Sequence, residues 1–194
     1  MYLKKIEEGT RLILEGLGED LNRPGLKDTP KRVVSMCCEI FRGYDKSKKP
    51  IVTCFDNGCD GINYDEMIFD SGYFYSHCEH HMTIFNGDYF FAYIPDKKII
   101  GLSKVARIID YFAAKLQVQE RLNQEIVNEI ENVLHPKGCA LILRARHFCK
   151  EMRGVKKVNG VMTTSVLRGV IKNNAMTRAE FISFLPFRAE MNCP

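Results

Sequence analysis

The chain has 194 residues, of which 45% are hydrophobic and 27% are charged, with a formal net charge of +4. This composition is ordinary for a globular protein, and the length suits one substantial core, so we expect a single domain spanning residues 1–194. The mild charge permits an anionic ligand, and the absence of polybasic tracts argues against nucleic acid as a partner. No apolar run matches a membrane helix and the acidic N-terminus is unlike a signal peptide, so we expect a cytoplasmic protein without a membrane partner.

The eight cysteines are scattered along a chain that is too long to need disulfide staples. We therefore expect reduced thiols, with Cys37, Cys38 and Cys139 as small core residues. The remaining cysteines outside the metal motif described below are Cys54, Cys59 and Cys193.

In the first 65 residues, the sequence pattern predicts two helices followed by a polar connecting loop. Residues 2–17 carry apolar side chains at three-four spacing and form an amphipathic pattern. A second helix is predicted to begin with Thr29 as its N-cap, followed by Pro30, and to stop at Gly43. The loop over residues 44–65 is rich in Lys, Asp and Gly, with a short strand expected near Ile51.

Residues 66–186 are expected to form the core of the protein. Met67 to Tyr75 has the composition of a strand, and Asn86-Gly87 between two apolar runs predicts a hairpin turn. Two amphipathic helices are expected next, from Gly101 and from about Val118.

Two further strands and a short helix are predicted to complete the core. The strands span Cys139 to Cys149 and Val161 to Val170, and Thr177 is expected to cap a helix that runs to Leu185. The tail after Pro186 shows no pattern. The order of helices, hairpin, two helices, hairpin and helix indicates an α+β fold with an antiparallel sheet.

Two short stretches carry soft metal donors. Cys78 and His81 lie three residues apart, so one turn can present both to a single ion. His147 and Cys149 lie at i and i+2, which places them on the same face if the segment is a strand. Together these four donors form a set typical of zinc, and His80 stands beside them as a spare imidazole.

This spacing fits two kinds of zinc site. A structural site would be closed, with His147 as the fourth ligand, whereas a catalytic site would keep one position open for water. Spacing alone does not separate them.

The sequence resembles GTP cyclohydrolase I along nearly its whole length. Six motifs carry the resemblance, in the family's order and spacing: Thr29-Pro30-Lys31-Arg32, Cys78-Glu79-His80-His81, Gly101-Leu102-Ser103-Lys104, Gln117-Val118-Gln119-Glu120-Arg121, His147-Phe148-Cys149 with Met152-Arg153-Gly154, and Thr163-Thr164-Ser165. The resemblance implies the tunnelling fold and a toroidal homodecamer of two stacked pentamers. It also implies conversion of GTP and water to 7,8-dihydroneopterin triphosphate and formate, the first step of pterin biosynthesis.

The resemblance also implies the chemical roles around the metal. Cys78, His81 and Cys149 would hold one Zn²⁺ per subunit, which leaves His147 free to act as an acid. His80 would assist proton movement, a role that suits an imidazole near pH 7.

Substrate-binding roles follow from the same motifs. Glu120 would accept the N1–H and N2–H groups of guanine, with the catalytic residue Gln119 beside it, and Ser103 would contact the reacting ribose. The cations expected to bind the triphosphate are Lys104, Arg107, Arg153 and Arg32, the last from a neighbouring subunit. Without the resemblance, Gln119 and Glu120 would read as surface residues, Ser103 as a helix N-cap, and Arg32 as equally suited to solvent or an anion.

Two other classes of protein are compatible with parts of the pattern. A zinc-stabilised nucleic-acid-binding module would use the same donors, but it would not need Glu120, and the aromatic-basic interleaving typical of such modules is absent. A tunnelling-fold relative acting on another purine or pterin is the closer alternative.

Overall fold

The structure, a computed structural model, describes residues 1–186, so the tail after Pro186 and Cys193 lie outside the described residues. The chain divides into two compact units, Met1–Lys49 and a second that begins at Pro50. The expectation of one domain with a helical part up to residue 65 stays a prediction. In the described part of the chain, no helix combines the length and the apolar character needed to cross a bilayer.

The first unit is helical. Helix α1 (Leu3–Gly16) and helix α2 (Thr29–Ile40) are followed by two 3₁₀ turns, Arg42–Tyr44 and Lys46–Lys48. The predicted N-cap at Thr29 is wrong, because Thr29 is already the first helical residue and its hydroxyl donates back to the Gly25 carbonyl at 3.4 Å. Proline in the first turn nevertheless marks the beginning of α2 correctly.

The second unit contains the remaining elements of the described chain. In chain order they are β1 (Cys54–Asp56), β2 (Ile68–Cys78), β3 (Ile84–Ile94), β4 (Lys98–Ile100), α3 (Leu102–Ala113), β5 (Leu116–Gln117), α4 (Gln119–Leu134), β6 (Gly138–His147), α5 (Phe148–Glu151), β7 (Val161–Leu167), α6 (Gly169–Asn173) and α7 (Ala175–Ser183). The main sheet has the order β5-β2-β3-β6-β7, and a separate ladder pairs β1 with β4. All pairings are antiparallel except that of β5 with β2, which confirms the predicted α+β class with antiparallel sheet.

Helices cover the sheet on both faces. Phe91 packs into the larger core with residues of α3 and α4 such as Ile109 and Ile126, whereas its strand neighbour Phe90 packs into a smaller core with Phe181 of α7. Adjacent residues of a strand point to opposite faces, so the two cores lie on the two sides of the sheet.

The hairpin is not where the sequence predicts it. Asn86 and Gly87 lie inside β3, and the turn between β2 and β3 consists of residues 79–83. Position 87 requires glycine because the backbone of β6 approaches it closely: a Cβ there would lie 1.9 Å from the Arg144 carbonyl oxygen. The metal motif therefore begins at Cys78, the last residue of β2, and continues into this turn, residues 79–83, which we call the metal turn.

Gly87→Ala is expected to destabilise the protein by roughly 3 kcal/mol or more, at the upper end of over-packing, because the obstacle is backbone and cannot rotate away. Gly9→Ala is the matched control: Gly9 lies within α1 and a Cβ there meets nothing within 4 Å. The control should be neutral or stabilising by up to about 1 kcal/mol. Denaturant unfolding of both variants measures the difference, and equal effects would contradict this account of Gly87.

Several predicted boundaries also differ from the structure. The short strand expected near Ile51 is β1, three residues later, where it pairs with β4. The strand expected to reach Val170 ends at Leu167, and α6 follows it. The cap of α7 is Asn174, whose side chain accepts from the Met176 and Thr177 amides, so Thr177 is not the cap.

Candidate metal centre and active site

The turn between β2 and β3 presents two of the soft donors. Its backbone closes through the Cys78 amide, which donates to the Thr83 carbonyl at 2.8 Å, and the Met82 amide, which donates to the Cys78 carbonyl at 2.8 Å. Met82 adopts a left-handed conformation with φ of 55°. This tight path brings Nδ1 of His81 to 3.9 Å from the buried Sγ of Cys78.

Cys149 comes from a different kind of element than predicted. Strand β6 ends at His147, and Cys149 lies in the short helix α5, so the two do not share a strand face. A two-pronged ion pair fastens this helix to β6: Arg146 Nε and Nη2 donate to the two carboxylate oxygens of Glu151 at 2.9 and 2.7 Å. Hydrogen bonding to Arg146 holds the pKa of Glu151 below its usual value.

The ligand atoms of Cys78, His81 and Cys149 all lie within 4.8 Å of one another. Zn–S bonds of about 2.3 Å and Zn–N bonds of about 2.0 Å in tetrahedral geometry separate ligand atoms by roughly 3.5–3.8 Å, so a small adjustment brings these three onto one ion. Two thiols and an imidazole are also the donor chemistry that zinc prefers. The residues therefore fit a metal ion.

The cluster has electrostatic consequences for Cys149. Burial, and secondly the neighbouring Cys78 thiol, raise the pKa of Cys149. Thiol ligands bind as thiolates, so binding of a cation here is coupled to proton release.

His80 and Arg153 border the cluster. Nδ1 of His80 lies 3.7 Å from Sγ of Cys78. The exposed Arg153 extends its guanidinium to the same place, with Nη1 donating to Nε2 of His81 at 3.1 Å. The structure thus brings both predicted site residues to the candidate metal ligands.

His147 is held by two neighbours beside the cluster. Its ring stacks on Phe85 with centroids 4.6 Å apart and planes 2° from parallel. Its Nε2 lies 2.9 Å from Oε1 of Gln119. Burial lowers the pKa of His147, an effect that Glu120 partly opposes and Lys150 reinforces.

Gln119 is a buried anchor and is not exposed on the helix surface. Its Nε2 donates to the Leu143 carbonyl at 2.9 Å, to the Met162 carbonyl at 3.2 Å and to Oγ1 of Thr164 at 3.1 Å. These acceptors fix which amide atom is nitrogen, so Oε1 must accept from His147. His147 therefore carries its proton on Nε2 and leaves Nδ1 free of it.

Glu120 lies in the first turn of α4 and is exposed. Its negative charge raises the pKa of His147 against the larger, lowering effect of burial. A carboxylate in the first turn of a helix is also favoured by the helix dipole. An exposed carboxylate at this position can accept hydrogen bonds from a ligand.

The remaining predicted residues belong to helices α3 and α2. Ser103, Lys104 and Arg107 lie in the first half of α3, where Gly101 is the N-cap, so the alternative reading of Ser103 as N-cap is wrong. Lys104 and Arg107 are three residues apart and share a helix face. Arg32 is an exposed residue in the first turn of α2, within the first unit.

Two ion pairs at the site were not predicted from the sequence. Arg121 binds Glu79 of the metal turn, and Arg146 binds Glu151 beside Cys149. The second pair is separated by only five residues, but its partners belong to a strand and a helix that the sequence did not distinguish. The first pair spans 42 residues and has no local signal.

The family model and the similar proteins that match this chain agree on one family. The sequence model of "GTP cyclohydrolase I" matches residues 6–186. Proteins named GTP cyclohydrolase 1 are 42% identical in Wolinella succinogenes, over 94% of this chain and 97% of the relative, and 44% identical in Acetivibrio thermocellus, over 94% and 96%. Another from a Sulfurihydrogenibium species is 44% identical over 96% of this chain and 97% of the relative. The chain therefore belongs to the GTP cyclohydrolase I family.

Proposed function

We propose that this protein is a zinc-dependent GTP cyclohydrolase I, which converts GTP and water to 7,8-dihydroneopterin triphosphate and formate. The observation that carries the proposal is the Cys78–His81–Cys149 cluster with His147 beside it, in a member of this family. The product would enter pterin biosynthesis, whether for folate, a biopterin-type cofactor or a deazaguanine.

Zinc is the metal that the donor set favours, with Cys78, His81 and Cys149 as its ligands. When bound, zinc would lower the pKa of a coordinated water from about 16 to about 7. Among the described residues, the group of donor atoms that lie within 4.8 Å of one another comprises Cys78, His81 and Cys149 and leaves out His147, which supports the open, catalytic type of site over a closed site with four protein ligands.

His147 would move the proton that ring opening requires. Because Nε2–H is given to Gln119, Nδ1 is the atom that can accept a proton from the attacking water and pass it to the departing nitrogen of the imidazole ring. His80 would assist from the other side of the cluster. Gln119 then acts by fixing the orientation and tautomer of His147, and Ser103 would contact the ribose in the later rearrangement.

Substrate binding would use charged side chains beside the cluster and on α3. Glu120 would accept the two adjacent donors of guanine, and Arg153 beside His81 would contact phosphate oxygens. Lys104 and Arg107, on one face near the N-terminus of α3, would bind the same triphosphate.

Removal of zinc tests the metal's role. We expect the purified protein to contain about one zinc per chain, to lose pterin formation from GTP after chelation, and to recover it when zinc is returned at one equivalent. Metal analysis and pterin fluorescence after oxidation measure both. Full turnover by the metal-free protein would contradict the proposal, and turnover of another purine or pterin in place of GTP would favour the related tunnelling-fold enzymes.

We further propose a homo-oligomer, a decamer of two stacked pentamers, in which Arg32 of one subunit contacts the triphosphate bound by a neighbour. The exposed strand β7 at one edge of the sheet supports assembly, because open edges need covering and ring closure through neighbours provides it. An arginine in the first turn of α2 opposes the helix dipole, which an anion would offset.

Mixing two inactive variants, Arg32→Ala and His147→Ala, tests this assembly. If subunits exchange, hybrid rings contain some sites with both residues intact, so part of the activity should return. Light scattering gives the mass of the particle. A monomeric mass, or no recovery despite demonstrated exchange, would contradict the shared site.

A further inference from the structure

The metal turn needs support from outside itself. It carries His81 and directly follows Cys78, the last residue of β2, and the residues between these two, Glu79 and His80, are exposed. Its two closing backbone hydrogen bonds fix the ends of the turn but not the side chains that it presents. Metal ligands hold an ion well only when neighbouring groups fix their orientation.

Arg121 provides such support from the first turn of α4. Its Nη2 binds the Glu79 carboxylate and donates to the Leu116 carbonyl at 3.0 Å, while its Nε donates to Oε1 of Gln117 at 2.9 Å. One guanidinium thus joins the turn to the short strand β5.

The support for Arg121 is rigid. Strand β5 pairs in parallel with the end of β2, with Gln117 opposite Cys78, and the Glu79 amide donates to the Gln117 carbonyl at 3.1 Å. Gln117 itself is 1% exposed, and its Nε2 donates to the Phe112 carbonyl and to Glu125 at 3.0 and 2.9 Å. Arg121 therefore connects the turn to a buried, fully bonded amide.

We propose that Arg121 is a positioning residue for the metal turn, which acts through Glu79 to hold Cys78 and His81 in their ligating arrangement and so slows loss of the metal. The inference rests on the proposed zinc site. Both partners are partly exposed, with 43% of the Arg121 side chain and 35% of the Glu79 side chain accessible. Exposed ion pairs contribute little to global stability, so the effect should fall on metal release and not on unfolding.

Zinc release into excess chelator measures this role directly. Arg121→Gln and Glu79→Gln should each release zinc about 10- to 100-fold faster than the wild-type protein, because loss of groups that orient ligands lowers metal affinity by about this factor and we expect the loss to fall on the release step. The double variant should be no faster than the faster single variant, because both changes break one connection. The melting temperature of the metal-free proteins should stay close to that of the wild type.

Arg168→Gln is the matched control. Arg168 also binds α4 through exposed or partly exposed groups, with Nη2 donating to Gln124 at 2.7 Å and Nε 3.4 Å from Glu131, but these contacts involve residues further along α4 than Arg121 and not Glu79. This variant should release zinc at the wild-type rate.

The outcomes separate the inference from the proposed function. A wild-type protein that binds no zinc would overturn the proposed function. A wild-type protein that binds zinc, with release rates in Arg121→Gln and Glu79→Gln equal to that of Arg168→Gln, would overturn the positioning role alone. If Arg121→Gln fails to fold, Glu79→Gln decides, because its change lies on the exposed turn: an unchanged rate overturns the inference and faster release supports it.

Discussion

Replacing His147 by alanine is expected to lower formate release from GTP by about 100- to 10,000-fold while the protein keeps its zinc. His147 is the imidazole beside the cluster whose orientation is fixed on two sides, by Phe85 and by Gln119. The variant removes the group that we propose transfers the proton but leaves Cys78, His81 and Cys149 in place.

His135→Asn is the control for the loss of an imidazole. His135 is exposed and ends α4 in a left-handed conformation, with φ of 50°, which asparagine tolerates. Activity and zinc content should both remain near wild type in this variant. If zinc leaves together with the imidazole of His147, the site is the closed, structural type, and the proposed role of His147 is wrong.

Glu120→Gln is expected to lower GTP turnover by about 5- to 150-fold, which corresponds to the roughly 1–3 kcal/mol of a lost hydrogen bond to a buried or charged partner. Guanine offers adjacent N1–H and N2–H donors, and a carboxylate accepts both. The amide of glutamine has only one acceptor oxygen, so its NH₂ group would face one of the guanine donors. Adenine presents an unprotonated N1 and lacks the N2 amine, so ATP should be a very poor substrate for the wild-type protein.

Glu129→Gln, a change of the same kind further along α4, is the matched control and should leave turnover of GTP near wild type. Turnover of GTP and ATP by each variant, measured separately for kcat/KM and kcat, gives the comparison. Equal activity of the wild type on ATP and GTP would remove the proposed role of Glu120.

The four long helices α1 to α4 were predictable because their signals are local, whereas the short helices α5 and α6 were not predicted. Apolar spacing identified α1, α3 and α4 to within a few residues, and Thr29-Pro30 marked the beginning of α2 to within one residue. Strand register was not predictable in the same way. Asn86-Gly87 has the local signature of a turn, but pairing with β2 and β6 extends β3 through it, and the close approach of the Arg144 carbonyl explains the glycine.

The donor set of the site was predictable, but its arrangement was not. The grouping of Cys78, His81 and Cys149 agrees with the geometry, although the expected strand face shared by His147 and Cys149 was wrong, because the chain turns into α5 after His147. The burial of Gln119 depends on carbonyls from two strands far along the chain. No local pattern reports such contacts. The roles of Arg32, Lys104 and Arg107 stay predictions.

GTP labelled at C8 tests the central claim most directly, because the proposed reaction removes that carbon alone. With the zinc-loaded protein we expect one labelled formate for each unlabelled 7,8-dihydroneopterin triphosphate, and no such products with ATP or after His147→Ala. Label that stays in a nucleotide or in the pterin, in a folded protein carrying one zinc per chain, would contradict the account.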